Sequence, residues 1–189
     1  MDAFINTTQQ IDLAIQNLTM GKIIAYPTES VYGLGCDPFN PDAVASLLHL
    51  KQRPLGKGFI LVASHFEQVE HLTLPISPPA RARALSSWPG PVTWIFPSSP
   101  EAPQWITGDN NSIALRISAH PIIQQICQHY RRPIISTSAN IGGQLPARSL
   151  ATLEMTFGDE VASIVHGELG GQFKPTTIRD AITGEVYRA

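Results

Sequence analysis

The apolar residues of the chain alternate between helical periodicity and short continuous runs that are typical of buried strands. Thr7 and Gln10 have the spacing of a capping box, and the apolar residues after them predict a first helix that ends near Gly21. Asn40 and Pro41 predict the start of a second helix. Further helices are expected over residues 65–72, 78–87 and 149–157, and from residue 120 onwards.

Apolar runs of strand length stand between these helices. They lie at residues 22–26, 58–63, 92–96, 112–117 and 133–136, with shorter candidates at 161–165, 176–180 and 185–188. Helical and strand patterns intermingle without repeats, which indicates an α/β domain (α+β-like) with a twisted, mixed β-sheet flanked by helices. We expect a single domain over residues 1–189, because that length suffices to bury a substantial core.

Composition narrows the class of protein. The chain is 43% hydrophobic and 15% charged, which is ordinary for a globular domain. The N-terminus carries acids and amides where a signal peptide needs basic residues and an apolar run, and the longest apolar runs are too short to span a bilayer. Cys36 and Cys127 stand outside any metal-binding spacing. We therefore expect a cytoplasmic protein without a membrane segment and without a metal site built by the protein.

The acidic residues are unevenly distributed, although the formal net charge is only -2. No carboxylate occurs between Asp42 and Glu67 or between Asp109 and Glu154. The cations inside these two acid-free windows are Lys51, Arg53, Lys57, Arg116, Arg131, Arg132 and Arg148. If the fold brings the windows together, one face of the protein is strongly basic. The alternative is that both windows are ordinary solvated surfaces.

Three polar features beside predicted strands or helix ends are candidates for binding a ligand. Lys51 and Arg53, which precede a proline, suit a phosphate or carboxylate, or else they stabilise a helix C-terminus. Arg116 lies within an apolar strand, so it needs either an anionic ligand or a structural ion pair. Thr28 and Glu29 follow a strand and either contact a polar substrate or stabilise a turn.

Hydroxyls and an amide follow the predicted strand at 133–136. Residues 136–140 read Ser-Thr-Ser-Ala-Asn, and ligands gather beyond the carboxyl ends of strands in open α/β sheets. The alternative is a turn that bonds only its own backbone. The sequence contains no nucleophile-elbow, Cys-His or paired-carboxylate motif. A basic, hydroxyl-lined pocket without a nucleophile suits reactions in which the protein positions its substrates and neutralises phosphate charge.

Taken together, five motifs resemble those of the YrdC (TsaC) family of threonylcarbamoyl-AMP synthases, in its short bacterial form. They are YPTESVYGLG at 26–35, KQRP at 51–54, WPGPVT at 88–93, ALR at 114–116 and STSAN at 136–140. The resemblance covers nearly the whole chain. It implies one catalytic domain with the YrdC-like fold and a concave basic surface.

The resemblance also implies an ATP-dependent nucleotidyltransferase. The family's reaction joins L-threonine, bicarbonate and ATP into L-threonylcarbamoyladenylate and releases pyrophosphate, with Mg²⁺ held mainly by the nucleotide. The threonine amine captures carbon dioxide or bicarbonate, and the carbamate attacks the α-phosphorus, so no enzyme nucleophile is needed. The product serves the threonylcarbamoyladenosine modification of tRNA next to the anticodon. Implied partners are therefore tRNA and the proteins that transfer the group to it.

The same resemblance assigns roles position by position. Lys51 and Arg53 are expected to bind the triphosphate and, as catalytic residues, to stabilise charge at the α-phosphorus. The further ATP-binding residues are Ser138, Asn140, Arg148 and Arg188, and those for threonine and the carbamate are Thr28, Arg116, Ser136 and Thr176. The chain departs from the long-form pattern Ser-Thr-Val, because it reads Pro-Thr-Thr-Ile at 175–178. Thr176 keeps a hydroxyl there but adds a methyl group.

Two other functions stay open. A non-catalytic module that binds double-stranded RNA or tRNA in RNA maturation would also explain a basic surface, and its binding would weaken with added salt. A carbamoyl-adenylate enzyme that uses carbamoyl phosphate would not require threonine. Measuring pyrophosphate release with and without threonine and bicarbonate separates both alternatives from the synthase.

Overall fold

The computed structural model describes residues 6–188. The helices in this range are α1 (Thr7–Thr19), α2 (Pro41–Lys51), α3 (Pro78–Leu85), α4 (Gln104–Thr107), α5 (Pro121–Tyr130) and α6 (Leu150–Phe157). The strands are β1 (Ile24–Pro27), β2 (Tyr32–Gly35), β3 (Ile60–Ala63), β4 (Val92–Pro97), β5 (Ser112–Ile117), β6 (Ile134–Ser138), β7 (Ser163–Ile164), β8 (Thr177–Asp180) and β9 (Val186–Arg188). Within residues 6–188, no helix is both long enough and apolar enough to cross a membrane.

The strands of this range form one mixed sheet in the order β7-β1-β2-β6-β3-β5-β4-β8-β9. The pairs β1–β7, β3–β5 and β4–β8 are parallel, and the other neighbouring pairs are antiparallel. Strand β6 pairs Ser138 with Gly33 of β2 and Ser136 with Ile60 of β3. The predicted mixed sheet flanked by helices is confirmed, and segments far apart in sequence lie side by side in it.

Each face of the sheet carries its own hydrophobic core, because successive side chains of a strand point to opposite faces. Helices α1 and α5 cover one face, where Leu18 and Ile126 share a core with Val62 of β3. The next residue along β3, Leu61, points into the larger core on the opposite face, together with Leu47 of α2. The central strands are therefore buried on both sides, which explains why their sequences are continuous apolar runs.

Helices α1 and α5 leave one end of their face uncovered. Val62 and Ile134 belong to the core beneath the helices, whereas Ile60 and Ser136, two residues along the same strands, line a cavity. Residues i and i+2 of a strand share a face, so the floor of the cavity continues the buried core. This end of the sheet positions the candidate site.

The structure corrects the predicted start of the first helix. Asn6 is its N-cap, and Thr7 is already helical. The side chain of Asn6 accepts a hydrogen bond from the backbone N–H of Gln9, and the Gln9 side chain accepts one from the N–H of Asn6. The capping box is therefore Asn6 with Gln9 and not Thr7 with Gln10.

The prediction of a continuous helix over residues 65–72 is wrong. Two separate 3₁₀ turns occupy this stretch, Phe66–Gln68 and Glu70–Leu72. Val69 stands between them with φ -127°, outside the helical region, and neither turn has a side-chain cap. A continuous helix therefore cannot form there.

Strand β2 and the single-turn helix α4 were not predicted. The two glycines in β2 allow a close approach between strands: a Cβ on Gly35 would lie 2.5 Å from the carbonyl oxygen of Ile135. Strand β6 also continues through Ser138, where a break was expected at Thr137. Its last residues stay extended because Thr137 and Ser138 pair with β2.

Candidate functional site

An open cavity of about 740 Å³ lies over the uncovered end of the sheet. Strands β2, β3, β5 and β6 contribute to its lining, and residues from the segments 145–152 and 173–176 complete it. The sequence-predicted residues that line it are Thr28, Arg53, Arg116, Ser136, Ser138, Arg148, Thr176 and Arg188. The volume is typical of small-molecule sites.

A smaller cavity of about 370 Å³ adjoins the first, because Arg53, Thr137 and Ser138 line both. Lys51 and Asn140 line the smaller cavity. The structure therefore brings the sequence-predicted site residues, apart from Glu29, to one of two adjoining cavities, although they come from seven separate segments of the chain.

Arg116 is buried in β5 and pairs with a buried carboxylate. Its Nη1 lies 3.1 Å from Oε2 of Glu29, and Oγ of Ser118 donates a hydrogen bond of 2.7 Å to Oε1 of the same carboxylate. Burial favours a raised pKa for Glu29, but the Arg116 charge and the Ser118 hydrogen bond outweigh it and hold the pKa below its usual value. Arg116 thus has a structural ion pair and also lines the cavity.

The turn between β1 and β2 presents Thr28 to the cavity. Its Oγ1 donates a hydrogen bond of 2.7 Å to the carbonyl oxygen of Val31 and accepts longer ones, at 3.4 Å, from the N–H groups of Ser30 and Val31. The hydroxyl stabilises the turn while it lines the cavity, so the turn interpretation of Thr28 is confirmed and its contact with a substrate stays a prediction. A ligand here would meet a hydroxyl of fixed orientation.

Lys51 ties the end of α2 to the loop after β6. Its Nζ donates to the carbonyl oxygens of Ser138, at 2.5 Å, and Asn140, at 2.8 Å. Burial, with the nearby Arg53 charge, lowers the pKa of Lys51 to about 8. These two bonds use two of the three N–H donors of the ammonium, in a side chain that lines the smaller cavity.

Arg53 reaches the site because the chain turns sharply after α2, with Gln52 in the left-handed conformation at φ 49°. The guanidinium lies 5.0 Å from the centroid of the Phe59 ring, and Nη2 donates a hydrogen bond of 2.7 Å to the carbonyl oxygen of Gly58. Burial lowers the pKa of Arg53. Its buried Nε has no hydrogen-bond partner among residues 6–188, so a donor is held in place without an acceptor.

The loop that follows β6 is internally bonded. Oγ of Ser138 donates to Oδ1 of Asn140 at 2.5 Å. The Asn140 amide nitrogen donates to the carbonyl oxygens of Ile141 and Gln144, at 2.9 and 3.1 Å. The alternative interpretation of this segment, a turn that serves its own backbone, therefore holds in part. The same bonds fix Ser138 and Asn140 at the edges of the two cavities.

Thr176 and Arg188 close one side of the larger cavity. The guanidinium of Arg188 donates to the carbonyl oxygen of Thr176, with Nη2 at 2.9 Å. Oγ1 of Thr176 lies 3.3 Å from Oγ1 of Thr93 in β4. Burial and the positive charge of Arg116 lower the pKa of Arg188.

Three apolar residues of the larger cavity were missed by the sequence reasoning. Leu145 and Phe173 line it while 93% and 88% exposed, and Phe59 lies beneath Arg53. The guanidinium of Arg148 lies 5.7 Å from the centroid of the Phe173 ring. Large apolar residues inside polar, glycine-containing loops are the signal that would have indicated the two exposed ones.

The cavities gather only part of the positive charge in the acid-free windows. Within residues 6–188 the larger cavity is lined by arginines and by no carboxylate. Arg131 and Arg132 line neither cavity, and Arg132 instead lies 3.6 Å from Asp37. Five of the seven window cations therefore line the cavities: Arg53, Arg116 and Arg148 at the larger one, and Lys51, Lys57 and again Arg53 at the smaller one. A concave basic surface beyond these cavities stays a prediction.

This arrangement can bind a polyanion beside a small polar molecule. Guanidinium and ammonium groups neutralise phosphate charge, and the hydroxyls orient a neutral or zwitterionic partner. In the described part of the chain no group of three or more His, Cys, Asp or Glu side chains could hold a metal ion. Cys36 and Cys127 are buried, and burial raises the pKa of both thiols to about 12, so neither is an activated nucleophile.

A family model described as "Telomere recombination", that of Sua5, YciO and YrdC, matches residues 16–189. The chain belongs to the Sua5/YciO/YrdC family. Family membership confirms the resemblance carried by the five motifs. The threonylcarbamoyl-AMP synthase of Coxiella burnetii (strain RSA 493) is 55% identical over 181 residues, which cover 96% of this chain and 97% of the relative. The threonylcarbamoyl-AMP synthase of Yersinia enterocolitica is 46% identical over 176 residues, 92% of each chain.

Solved structures of the Sua5/YciO/YrdC family show the same fold. P. abyssi Sua5 in complex with L-threonine is 32% identical, with a TM-score of 0.86 over 94% of this chain and 52% of that chain. This chain therefore spans about half the length of that Sua5. E. coli YciO, at 24% identity, has a TM-score of 0.81 over 97% of this chain, a likeness that concerns the fold alone.

Proposed function

We propose that this protein is a nucleotidyltransferase that synthesises L-threonylcarbamoyl-AMP from L-threonine, bicarbonate and ATP and releases pyrophosphate. The observation that carries the proposal is the pair of adjoining cavities. Hydroxyl groups and four arginines line the larger cavity, and Lys51 lines the smaller one; the arginines are Arg53, Arg116, Arg148 and Arg188. Synthases that are 55% and 46% identical over at least 92% of both chains support it.

The end of the larger cavity near Arg116 suits the amino acid. A guanidinium pairs well with a carboxylate, and we assign the threonine carboxylate to Arg116. The hydroxyls of Thr28, Ser136 and Thr176 lie on the same lining and are assigned to the rest of the threonine and to the carbamate. The complex of P. abyssi Sua5 with L-threonine, whose chain is 32% identical, supports an amino-acid subsite in this fold.

The end near Lys51 suits the triphosphate. Lys51 and Arg53 carry two positive charges beside the smaller cavity, and we assign them to the phosphates and to the charge that develops at the α-phosphorus. Ser138 and Asn140 lie between the two cavities and are assigned to the nucleotide. Arg148 and Arg188, on the wall of the larger cavity, are assigned to the nucleotide as well.

ATP enters as its magnesium complex. Mg²⁺ prefers phosphate oxygens, carboxylates and water, whereas the cavity lining offers hydroxyls, amides and cations. We therefore infer that the phosphates of ATP and water molecules hold the ion. Mg²⁺ bound there would neutralise part of the negative charge on the triphosphate oxygens.

The substrates supply the reacting groups. The threonine amine and bicarbonate give a carbamate and water. A carbamate oxygen forms a bond to the α-phosphorus, and the bond from that phosphorus to the bridging oxygen breaks, so pyrophosphate leaves with the electron pair. Lys51 and Arg53 neutralise charge on the phosphates as this bond breaks, and Arg116 holds the threonine carboxylate in position.

We propose further that the product passes to proteins that transfer the threonylcarbamoyl group to tRNA. The mixed anhydride between carbamate and AMP is an activated donor, which fits a reaction whose acceptor is an amine on another molecule. The rival interpretation, a non-catalytic module that binds double-stranded RNA or tRNA, requires a basic surface larger than the two cavities.

The test is pyrophosphate release from Mg-ATP by the purified protein, with threonine and bicarbonate each present or omitted. The synthase requires both. Release that requires added carbamoyl phosphate in place of threonine and bicarbonate would point to a carbamoyl-phosphate enzyme, and a folded protein that binds RNA and releases no pyrophosphate would favour the RNA-binding module.

The site is tested with Lys51→Ala and Arg53→Ala, each of which should abolish release. The matched control is Arg132→Ala, because Arg132 is an arginine whose side chain is 58% exposed and which lines neither cavity. Full activity in Lys51→Ala or Arg53→Ala, or equal loss in Arg132→Ala, would contradict the assignment.

A further inference from the structure

The carboxylate of Glu29 occupies a distinctive position next to the larger cavity. Among the residues that the structure describes, the lining contains arginines and no acidic side chain. Among the ion pairs within residues 6–188, that of Glu29 with Arg116 alone involves a cavity arginine, since the others join Arg81 to Glu70 and Arg132 to Asp37. Glu29 is therefore the counter-charge of the subsite that we assign to threonine.

Glu29 does not itself line the cavity. Oγ of Ser118 donates a hydrogen bond to its carboxylate, and its backbone oxygen accepts a hydrogen bond of 2.9 Å from the N–H of Gln172. A Cβ on Gly170 would lie 2.9 Å from Cα of Glu29, so the loop packs directly on this residue. Glu29 is fixed and ionised, and it acts on a ligand through its charge.

The consequence follows from simple electrostatics. A guanidinium stays charged when buried, so the subsite without Glu29 would carry an extra positive charge. That extra charge would attract a ligand with one net negative charge by its full Coulomb energy. A zwitterion carries both signs a few ångströms apart, so the attraction of its carboxylate and the repulsion of its ammonium largely cancel. The sign of this difference does not depend on the exact pose of the ligand.

We propose, on the basis of the proposed function, that Glu29 is a specificity-determining residue: it balances the charge of Arg116 so that the subsite selects a zwitterionic amino acid over carboxylates that lack the amine. Cells contain many small hydroxy acids with the same carboxylate and hydroxyl as threonine. These compounds cannot form the carbamate, so their exclusion keeps the site free for the reactive substrate.

The test compares L-threonine with 3-hydroxybutyrate, which is threonine without its amine, near neutral pH. Isothermal titration calorimetry measures both dissociation constants, with 3-hydroxybutyrate titrated directly and in competition with threonine. The wild type should prefer threonine by tenfold or more. In Glu29→Gln the ratio of the two dissociation constants should shift at least tenfold toward 3-hydroxybutyrate, because a unit charge removed a few ångströms away is worth more than a factor of ten at an effective dielectric constant near 20.

Two matched variants separate charge from position. Ser118→Ala removes the hydrogen bond to Glu29 but keeps its charge, so the ratio should stay at the wild-type value. Asp37→Asn neutralises another buried carboxylate that pairs with an arginine, Arg132, outside both cavities, and the ratio should again stay unchanged.

Each outcome decides the proposal. A wild-type protein that binds both ligands equally overturns it, and this measurement does not require Glu29→Gln to fold. If Glu29→Gln folds, as judged by circular dichroism, an unchanged ratio overturns the specificity role and leaves the proposed function intact. A wild-type protein that binds no threonine overturns both together.

Discussion

Replacing Lys51 with alanine tests the fold and the chemistry of the phosphate end at once. Nζ of Lys51 donates to the carbonyl oxygens of Ser138 and Asn140, and the residue is only 4% exposed. The substitution removes a cation from the proposed nucleotide site. It also removes the donor for two carbonyl groups of the loop that carries Ser138 and Asn140.

The expected loss of stability is the difference between two opposing contributions. A hydrogen bond from a charged donor contributes about 1.5–3 kcal/mol, so the two bonds of Lys51 together contribute roughly 3–6 kcal/mol. Burial acts against them, since the pKa falls from its ordinary value of 10.5 to about 8, which costs about 3 kcal/mol. We therefore expect the free energy of unfolding to fall by about 1–2 kcal/mol in Lys51→Ala.

Urea unfolding, followed through the fluorescence of the 3 tryptophans, measures this change, and pyrophosphate release measures the activity. Lys22→Ala is the control, because Lys22 lines neither cavity. Lys51→Ala should lose both stability and activity. An unfolding free energy within about 0.5 kcal/mol of the wild type, the range of an ordinary surface substitution, would refute the two hydrogen bonds. Retained activity would refute the role in catalysis.

Three further predictions concern other groups. The pKa of Lys51 is about 8, and only its charged form neutralises phosphate. The kcat/KM for ATP should therefore fall as the pH rises through 8, and Lys51→Arg should move this fall to higher pH. A wild-type kcat/KM that does not change with pH would contradict this prediction. Gly35→Ala should lower the free energy of unfolding by about 1–3 kcal/mol, because its Cβ would lie 2.5 Å from the Ile135 carbonyl oxygen; an unchanged urea midpoint would argue against that contact. The thiols of Cys36 and Cys127 are buried, and burial raises the pKa of both to about 12, so Ellman's reagent should react only after unfolding; rapid reaction of the folded protein would disprove their burial.

Much of the sheet could be predicted because its central strands are buried on both faces. A strand such as β3, with Leu61 in one core and Val62 in the other, leaves a continuous apolar run in the sequence. Strand β2 has no continuous apolar run, because two of its residues are glycines. The absence of a side chain on Gly35 allows it to lie close to Ile135. That contact depends on which strand becomes the neighbour, and local sequence does not contain this information.

The candidate site was predictable as a set of residues but not as a set of contacts. Two cations before a proline and a hydroxyl-rich strand end already indicated an anion site. The partnership of Arg116 with Glu29 spans 87 positions and follows from the pairing of strands. The bonds from Lys51 to the loop at 138–140 likewise required the fold. Chemical type can be inferred from residue identity, whereas mutual geometry follows from topology.

The order of the strands has a consequence for biosynthesis. Thr28 lies in the turn after β1. Thr176 immediately precedes β8 and Arg188 is the last residue of β9, and all three residues line one cavity. During translation the two ends of the site are made far apart in time. The lining of the cavity stays incomplete until residue 188 has left the ribosome, and nascent chains that end before residue 177 hold the apolar strand β4 without its partner β8. Threonine and ATP should therefore stabilise the finished protein and leave its ribosome-bound precursors unprotected.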